Sequence, residues 1–376
     1  MVWTQMHGPS RRRIRDRVAG CHPPTGGEGS HWQKKNREPP VRINGLLQCT
    51  HIGLECPLFK SRCLLSLGLA LLFTATTAAC AERQKVIVDT DIGDDIDDAY
   101  ALTLALHSPE FEILGITTAW GDTALRAKLA ARLLAADGAK NIPVDAGVPT
   151  HSKSNFSQRA WAAAGPTPAR ANGVDFLLAQ AKRYPHQVTL IAIGPLTNIG
   201  AAIDRDPATF RLLDRVVLMG GSIHCGYGNP RATPPPPPQP EYNIAMDPAA
   251  ARKLLASGVP IFMMPLDSTQ WKLDDSKLAQ VAARSTPTTD ALLALTTEWQ
   301  LATHQHTPTL YDAMAVTYAL RPEICPTTPL RLQIDDKGFT RVVEGQTNAH
   351  ACLKANGDAF FQLLLPRLPA SRLSEH

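Results

Sequence analysis

From residue 85 onward, short apolar runs rich in Val and Ile alternate with longer stretches whose apolar residues recur every three or four positions. The first pattern is that of strands buried on both faces, the second that of helices with one apolar side. Strands are predicted at 86–89, 111–118, 188–193, 215–219 and 261–264, and helices at 97–107 and 123–137. Regular alternation of strand and helix builds βα units, so the expected fold class is α/β, an open, mostly parallel sheet flanked by helices. Residues 82–376 contain no linker-like break and read as a single domain, within the size such folds reach. In open parallel sheets, ligands bind beyond the carboxyl ends of the strands. The residues just after each Val/Ile run are therefore the first place to look for chemistry.

Residues 1–81 follow neither pattern. Arg11, Arg12, Arg13, Arg15, Arg17, Lys34, Lys35 and Arg37 are spaced by Gly, Pro and polar residues, a composition that cannot bury a core and predicts a disordered leader. Lys60 and Arg62, the apolar run 64–73 and the small residues 74–81 then give the order of a secretory signal. The run is too short for a stable membrane span; its other reading is a helix buried in a larger core. Ala79 and Ala81 stand in the Ala-x-Ala relation of a cleavage site. Lipidation at Cys80 is the second option, with Thr77 where Leu is usual. The body is thus expected to be exported, periplasmic or secreted, or lipid-anchored through Cys80.

Charge supports the same division. The whole chain carries +4, but residues 1–81 hold 11 Lys+Arg against 4 Asp+Glu, leaving 27 and 30 for the rest, a net of −3. The basic character belongs to the leader, and no basic face points to nucleic acid. Five of the eight cysteines lie at or before Cys80. Cys225, Cys325 and Cys352 show no Cys-x-x-Cys spacing and hence no zinc signature. In an oxidising compartment Cys325 and Cys352 can pair; three buried thiols are the alternative. The proline run 234–238 predicts a stiff, extended surface loop without internal hydrogen bonds.

The densest chemistry is Val86-Ile-Val-Asp-Thr-Asp-Ile-Gly-Asp-Asp-Ile-Asp-Asp-Ala99. Asp89, Asp91, Asp94, Asp95, Asp97 and Asp98 crowd the end of one strand and the start of its helix. Capping a helix and favouring its dipole account for one or two of them. Six call for a cation, and oxygen ligands select Ca²⁺ or Mg²⁺. An EF-hand is excluded by Gly93 at the fifth loop position and Tyr100 where Glu closes the loop. The Asp-x-Asp after an apolar run also fits a phosphohydrolase of the haloacid dehalogenase type, except that Gly93 stands where that family has Thr or Val.

The segment resembles the Asp-x-Asp-x-Gly-x-Asp-Asp-Ala signature of the inosine-uridine nucleoside hydrolase family, and four further segments across 85–320 continue the resemblance in the family's order. It implies that Asp91 is the general base and a Ca²⁺ ligand, that Asp98 is a second ligand, and that Asp97 bonds the ribose hydroxyls. Two extra residues before the Asp-Asp-Ala ending make Asp95 a candidate for one of these parts. In 115–122, Asp122 stands where many members have a sugar-binding Asn, keeping the acceptor and losing the amide donor; a solvated loop acid is the other reading. In 191–198 the resemblance implies a backbone ligand at Ile193, while Thr197 and Asn198 read as helix caps. From 217–221, 228–229 and 241–248 it implies Met219 against the sugar, with Asn229, Glu241 and Asn243 bonding its hydroxyls. In 310–316 it implies Asp312 as the last protein ligand, a plain N-cap being the alternative. Tyr311 occupies the place of a His that assists the departing base in relatives, and His304 and His306 are the nearby candidates for that acid.

The resemblance implies the nucleoside hydrolase fold, Ca²⁺-dependent hydrolysis of the N-glycosidic bond of small-molecule ribonucleosides, and assembly into homo-oligomers. The rivals are a Mg²⁺-dependent phosphohydrolase and an exported nucleoside-binding protein without turnover.

Overall fold

A computed structural model describes residues 82–151, 156–167 and 172–371. The expectations for the leader, its signal and Cys80 lie outside the described residues. Strands β1 (Gln84–Thr90), β2 (Phe111–Thr118), β3 (Val144–Ala146), β4 (Val188–Ile193), β5 (Arg215–Met219), β6 (Ile261–Met264), β7 (Thr327–Leu330) and β10 (Ala349–Cys352) form one sheet in the order β3-β2-β1-β4-β5-β6-β10-β7. Every pairing is parallel except that of β10 with β7. A separate antiparallel pair joins β8 (Leu332–Ile334) to β9 (Thr340–Val342).

Alternating side chains along the strands feed two cores. Val86, Val88, Ile191, Ile193 and Val217 face the helices Asp97–Leu106, Pro287–Thr303 and Ala313–Leu320. Ile87, Leu190, Ala192, Val216 and Leu218 face Gly173–Arg183, Thr197–Arg205 and Pro248–Ala256. With both faces covered, β1 and β4 have no polar side, which is why they read as unbroken apolar runs.

The chain steps outward from β1 to β2 and β3, then returns to start the other half at β4. Strand order reverses between β1 and β4, and the crevice at that reversal is where doubly wound sheets bind ligands.

Cys325 and Cys352 form a disulfide that ties the turn before β7 to the end of β10, and Cys225 is free and buried. The proline run is largely exposed and extended, yet it is not without partners. Gly226 N donates to Pro236 O at 3.0 Å, and Gln239 N to Ser222 Oγ at 3.0 Å, folding the run onto the segment before it. A proline lacks only the donor; its carbonyl still accepts. Among the described residues no helix is long and apolar enough to cross a membrane.

Candidate functional site

The loop leaving β1 carries the acidic cluster into the crevice, and its path is set by a few specific contacts. Gly93 has φ +127°, and a Cβ there would meet the Phe156 ring at 2.4 Å, so only glycine fits. Arg126, fully buried on the helix Thr123–Asp137, clamps the loop from below. Its guanidinium donates to the carbonyls of Asp91 and Ile92, to Trp120 O at 2.7 Å and to Asp94 Oδ2 at 2.8 Å. The extra pair Asp94–Asp95 is held by Ser157 Oγ on Asp94 O at 2.8 Å and Gln158 Nε2 on Asp95 O at 2.7 Å. Gly194, just past β4, lies against Asp91: a Cβ there would stand 2.9 Å from its Oδ1. The end of β4, with Ile193 paired to Thr90, thus abuts the first acid of the loop.

Asp97, Asp98 and Asp312 meet across 214 residues of sequence. One carboxylate oxygen from each lies within 4.8 Å of the others, and all three side chains are buried. Asp312 N donates to Asp97 Oδ2 at 3.2 Å, and the Thr90 hydroxyl donates to Asp98 Oδ1. Burial is the main cause that pushes all three pKa values well above the usual carboxylate range, and repulsion adds to it, from Asp95 on Asp97, from Asp91 and Asp97 on Asp98, and from Asp97 and Asp98 on Asp312. Asp91 lies outside this close trio, but its charge acts on each member and is the second cause, after burial, for Asp98. Burial raises Asp91 itself to about 7, while Arg126 pulls it down. Arg126 also acts on Asp98, though less than burial, Asp91, Asp97 or Thr90. Such a set of buried, mutually repelling oxygens fits a hard divalent cation. Asp312 makes no side-chain cap bond, so its reading as a plain N-cap fails.

Above the trio opens a cavity of about 390 Å³, within the range of small-molecule sites. Its lining includes Asp94, Asp95, Asp97, Asp312, Glu241, Asn243 and Met219. Tyr227, Tyr242, Trp299, Tyr311, Thr303 and Gln305 complete the lining. Glu241 accepts from the amides of Gly221 (2.8 Å), Asn243 (2.9 Å) and Ile244 (3.1 Å), and burial still raises its pKa to about 7. Asn243 Nδ2 donates to Met219 O at 3.1 Å. A larger cleft, about 650 Å³, lies at the amino ends of β6 and β10 and has no acidic residue in its lining, so size does not mark the chemistry here.

Of the residues singled out in the sequence, Asp91, Asp97, Asp98, Ile193, Met219, Glu241, Asn243 and Asp312 are gathered around this crevice. Two are not. Asp122 is exposed and caps its helix, accepting from Leu125 N at 3.0 Å. Asp122→Ala is expected to cost about 1 kcal/mol of stability, as cap losses do, and to leave KM for nucleosides unchanged; a tenfold rise in KM would restore it to the site. Asn229 is exposed, accepts from Arg231 N at 2.9 Å and lines a different cleft beside Trp271. The folded-back proline run turns that stretch so that Tyr227 faces the cavity instead. Asn198 is no cap either. It is buried, with Nδ2 donating to Asp89 Oδ1 (2.7 Å) and Thr118 O (3.1 Å) and Oδ1 accepting from Val148 N (2.8 Å), a brace across the strand ends. The helix beginning at Thr197 has no side-chain cap bond. His304 ends the helix Pro287–Thr303, and His306 is exposed near Asp275; neither lines the cavity, whereas their neighbours Thr303 and Gln305 do.

Sequence reasoning missed Arg126, Tyr227 and Trp299. Arg126 sits in a stretch of alternating Ala, Leu and basic residues that resembles a solvated helix face. Only the loop it clamps, far off in sequence, gives it meaning.

The family model for inosine-uridine preferring nucleoside hydrolases matches residues 86–362. The chain is 29% identical over 285 residues to probable uridine nucleosidase 2 of Arabidopsis thaliana, covering 70% of this chain and 85% of that protein. It is 27% identical over 320 residues to the pyrimidine-specific ribonucleoside hydrolase RihA of Citrobacter koseri, covering 75% and 97%. A solved plant nucleoside hydrolase has the same fold, with a TM-score of 0.67 at 24% identity over 77% of this chain and 100% of that one. A family match that runs from the first strand through to the last helix leaves one assignment: the chain belongs to the inosine-uridine preferring nucleoside hydrolase family.

Proposed function

We propose that this nucleoside hydrolase splits the N-glycosidic bond of ribonucleosides to free base and ribose, with Ca²⁺ held by Asp98, Asp312, Asp91 and the Ile193 carbonyl, and with Asp97, read from the resemblance as a ribose contact, joining the ligands because its carboxylate lies with those of Asp98 and Asp312. The observation that carries this reading is the buried trio Asp97–Asp98–Asp312, two of whose members line a cavity that four aromatic side chains share. When bound, Ca²⁺ would fix the ribose hydroxyls and a water and lower the pKa of that water.

Asp91 takes the proton from the water as it attacks C1′ of the sugar. Its place at the end of β1, against Gly194, puts its carboxylate at the reversal of strand order where the substrate enters. Glu241 and Asn243 bond the ribose hydroxyls, since a polyol is held by donors and acceptors converging in a cleft. As the C1′–N bond lengthens, the sugar gains oxocarbenium character. The crowded carboxylates stabilise that positive charge, being fixed before the reaction begins. The aromatic side chains of the cavity accept the planar base, with Tyr227, Trp299 and Tyr311 offering ring faces and edges.

The test is to incubate the purified protein with a panel of nucleosides and nucleotides, with and without chelator, and to measure free ribose and free phosphate. The expected result is ribose release that chelator abolishes and Ca²⁺ restores. Phosphate release with Mg²⁺ would replace this reading with a phosphohydrolase, and tight nucleoside binding without ribose would replace it with a binding protein.

A further inference from the structure

The cavity lacks one of the sugar contacts that the resemblance implies. Asn229 lines the cleft beside Trp271, and the side chain from that stretch that stands on the cavity wall is Tyr227. An amide able to donate to a hydroxyl and accept from it has given way to an aromatic ring. What holds that ring, and which part of a nucleoside it meets, decides the consequence.

Tyr227 is gripped from both sides along the chain. Gln270 bonds the two residues that flank it, with Nε2 donating to Gly226 O at 2.9 Å and Oε1 accepting from Gly228 N at 2.8 Å. The proline run backs the same turn: Gly226 N donates to Pro236 O at 3.0 Å, and at Gly228, where φ is +133°, a Cβ would stand 2.9 Å from Pro236 Cγ. At the tip of the side chain, the phenol oxygen accepts from Tyr242 N at 2.9 Å. The ring packs edge-on against Tyr311, with centroids 6.1 Å apart and planes at 80°. Tyr227 thus bridges Tyr311 and the Glu241–Asn243 segment, and 36% of it stays open, surface that a substrate can cover.

The geometry of a nucleoside says what covers it. The vicinal 2′ and 3′ hydroxyls are the pair that one ion holds together, which leaves the 5′ hydroxyl to groups farther from the trio. Glu241 already accepts from three amides, and Asn243 Nδ2 already donates to Met219 O. With Asn229 elsewhere, little remains to reward a further hydroxyl. The base on C1′ and the C5′ carbon on C4′ rise from the same face of the sugar, so a ring beside the base also lies against C5′.

We propose that Tyr227 makes the 5′ subsite of this cavity apolar, and that the enzyme takes ribonucleosides whose 5′ hydroxyl is replaced by hydrogen or an alkylthio group at least as well as ordinary ones. The bond changes are those of ordinary nucleosides. The C1′–N electron pair goes to the base, the water oxygen bonds C1′, its proton goes to Asp91, and the products are free base and a 5-deoxy- or 5-alkylthio-ribose. A site built to hydrogen-bond a hydroxyl rejects the analogue lacking it by a factor of about 10⁴ or more, because its buried polar groups are left unpaired; an apolar wall carries no such penalty. The proposal rests on the hydrolase reading above and adds to it the substrate class.

The experiment measures kcat/KM, by release of free base in the presence of Ca²⁺, for inosine and uridine and for the 5′-deoxy and 5′-deoxy-5′-methylthio counterpart of each. The 5′-deoxy counterparts are expected to equal their parents within about threefold, and the methylthio counterparts to exceed them by about fivefold, the worth of covering one or two apolar groups. Tyr227→Phe keeps the ring and these ratios. Tyr227→Asn, which returns an amide to the wall, is expected to shift the ratio toward the parent nucleosides by roughly tenfold, the size of one hydrogen bond. Each ratio is taken within one preparation, so a partly unfolded variant does not alter it. A loss of more than about threefold for either kind of counterpart in the unmodified protein would overturn the proposal, as would a ratio that Tyr227→Asn leaves unmoved. Failure to release base from any of these substrates would instead sink the hydrolase reading.

Discussion

Asp91→Asn is expected to lower kcat by a factor of about 10² to 10⁴, the range a positioned general base supplies, with little change in thermal stability. The amide has nearly the carboxylate's shape but cannot take up a proton. Asp91 is the acid best placed for the part. It leaves the end of β1 at the switch point, abuts Gly194 from β4, and has its pKa raised by burial to about 7. It also repels Asp98 more than any other charge does, so the variant should bind Ca²⁺ less tightly as well. Steady-state kinetics, bound calcium and a melting curve measured together separate these effects. A variant with near-normal kcat and calcium content would remove Asp91 from the mechanism.

The largest expected loss of stability comes from a residue that never touches the cavity. Arg126→Met keeps most of the volume but strips the loop of its clamp. The carbonyls of Asp91, Ile92 and Trp120 lose their donor, and the Asp94 carboxylate loses its partner. Removing one member of a buried ion pair costs about 3 to 5 kcal/mol, because the other charge is left without compensation. Denaturant unfolding read at the midpoint is the measurement. A midpoint equal to that of the unmodified protein would mean that the loop is held chiefly by Gly93, Phe156 and the segment after it.

These two residues also mark what the sequence could and could not disclose. Asp91 follows an apolar run within a dense acidic signature, and both features are local. The same holds for the strands: β4, β5 and β6 lie where periodicity places them because they are buried on both faces and carry no competing polar pattern. Asp122 was legible as a sugar contact or a solvated loop acid, and the structure makes it a helix cap. The choice depended on how the chain turns at Trp120, whose φ of +66° is held by Arg126 from a later turn. Asn229 was read as a sugar contact and Tyr227 was passed over, since the fold-back of the proline run rests on a hydrogen bond between Pro236 O and Gly226 N, ten positions away. Asn198 carried a cap-like residue type at a cap-like position, and burial against Asp89 overrode it. In each case a contact distant along the chain decided the partner.

The meeting of Asp97 with Asp312 has a bearing on how the protein is made. The two acids are joined by an amide hydrogen bond across 215 residues, and the helix that begins at Ala313 packs into the core beneath them. Contacts this far apart along the chain form late, since the loop between them must close before they yield anything. A chain still emerging from the ribosome holds Asp97 and Asp98 long before Asp312 exists. Until then it has two crowded acids and no third side to the pocket. Acquisition of the ion therefore has to follow assembly of nearly the whole sheet, and a nascent or clipped chain that stops short of residue 312 has no route to a working centre.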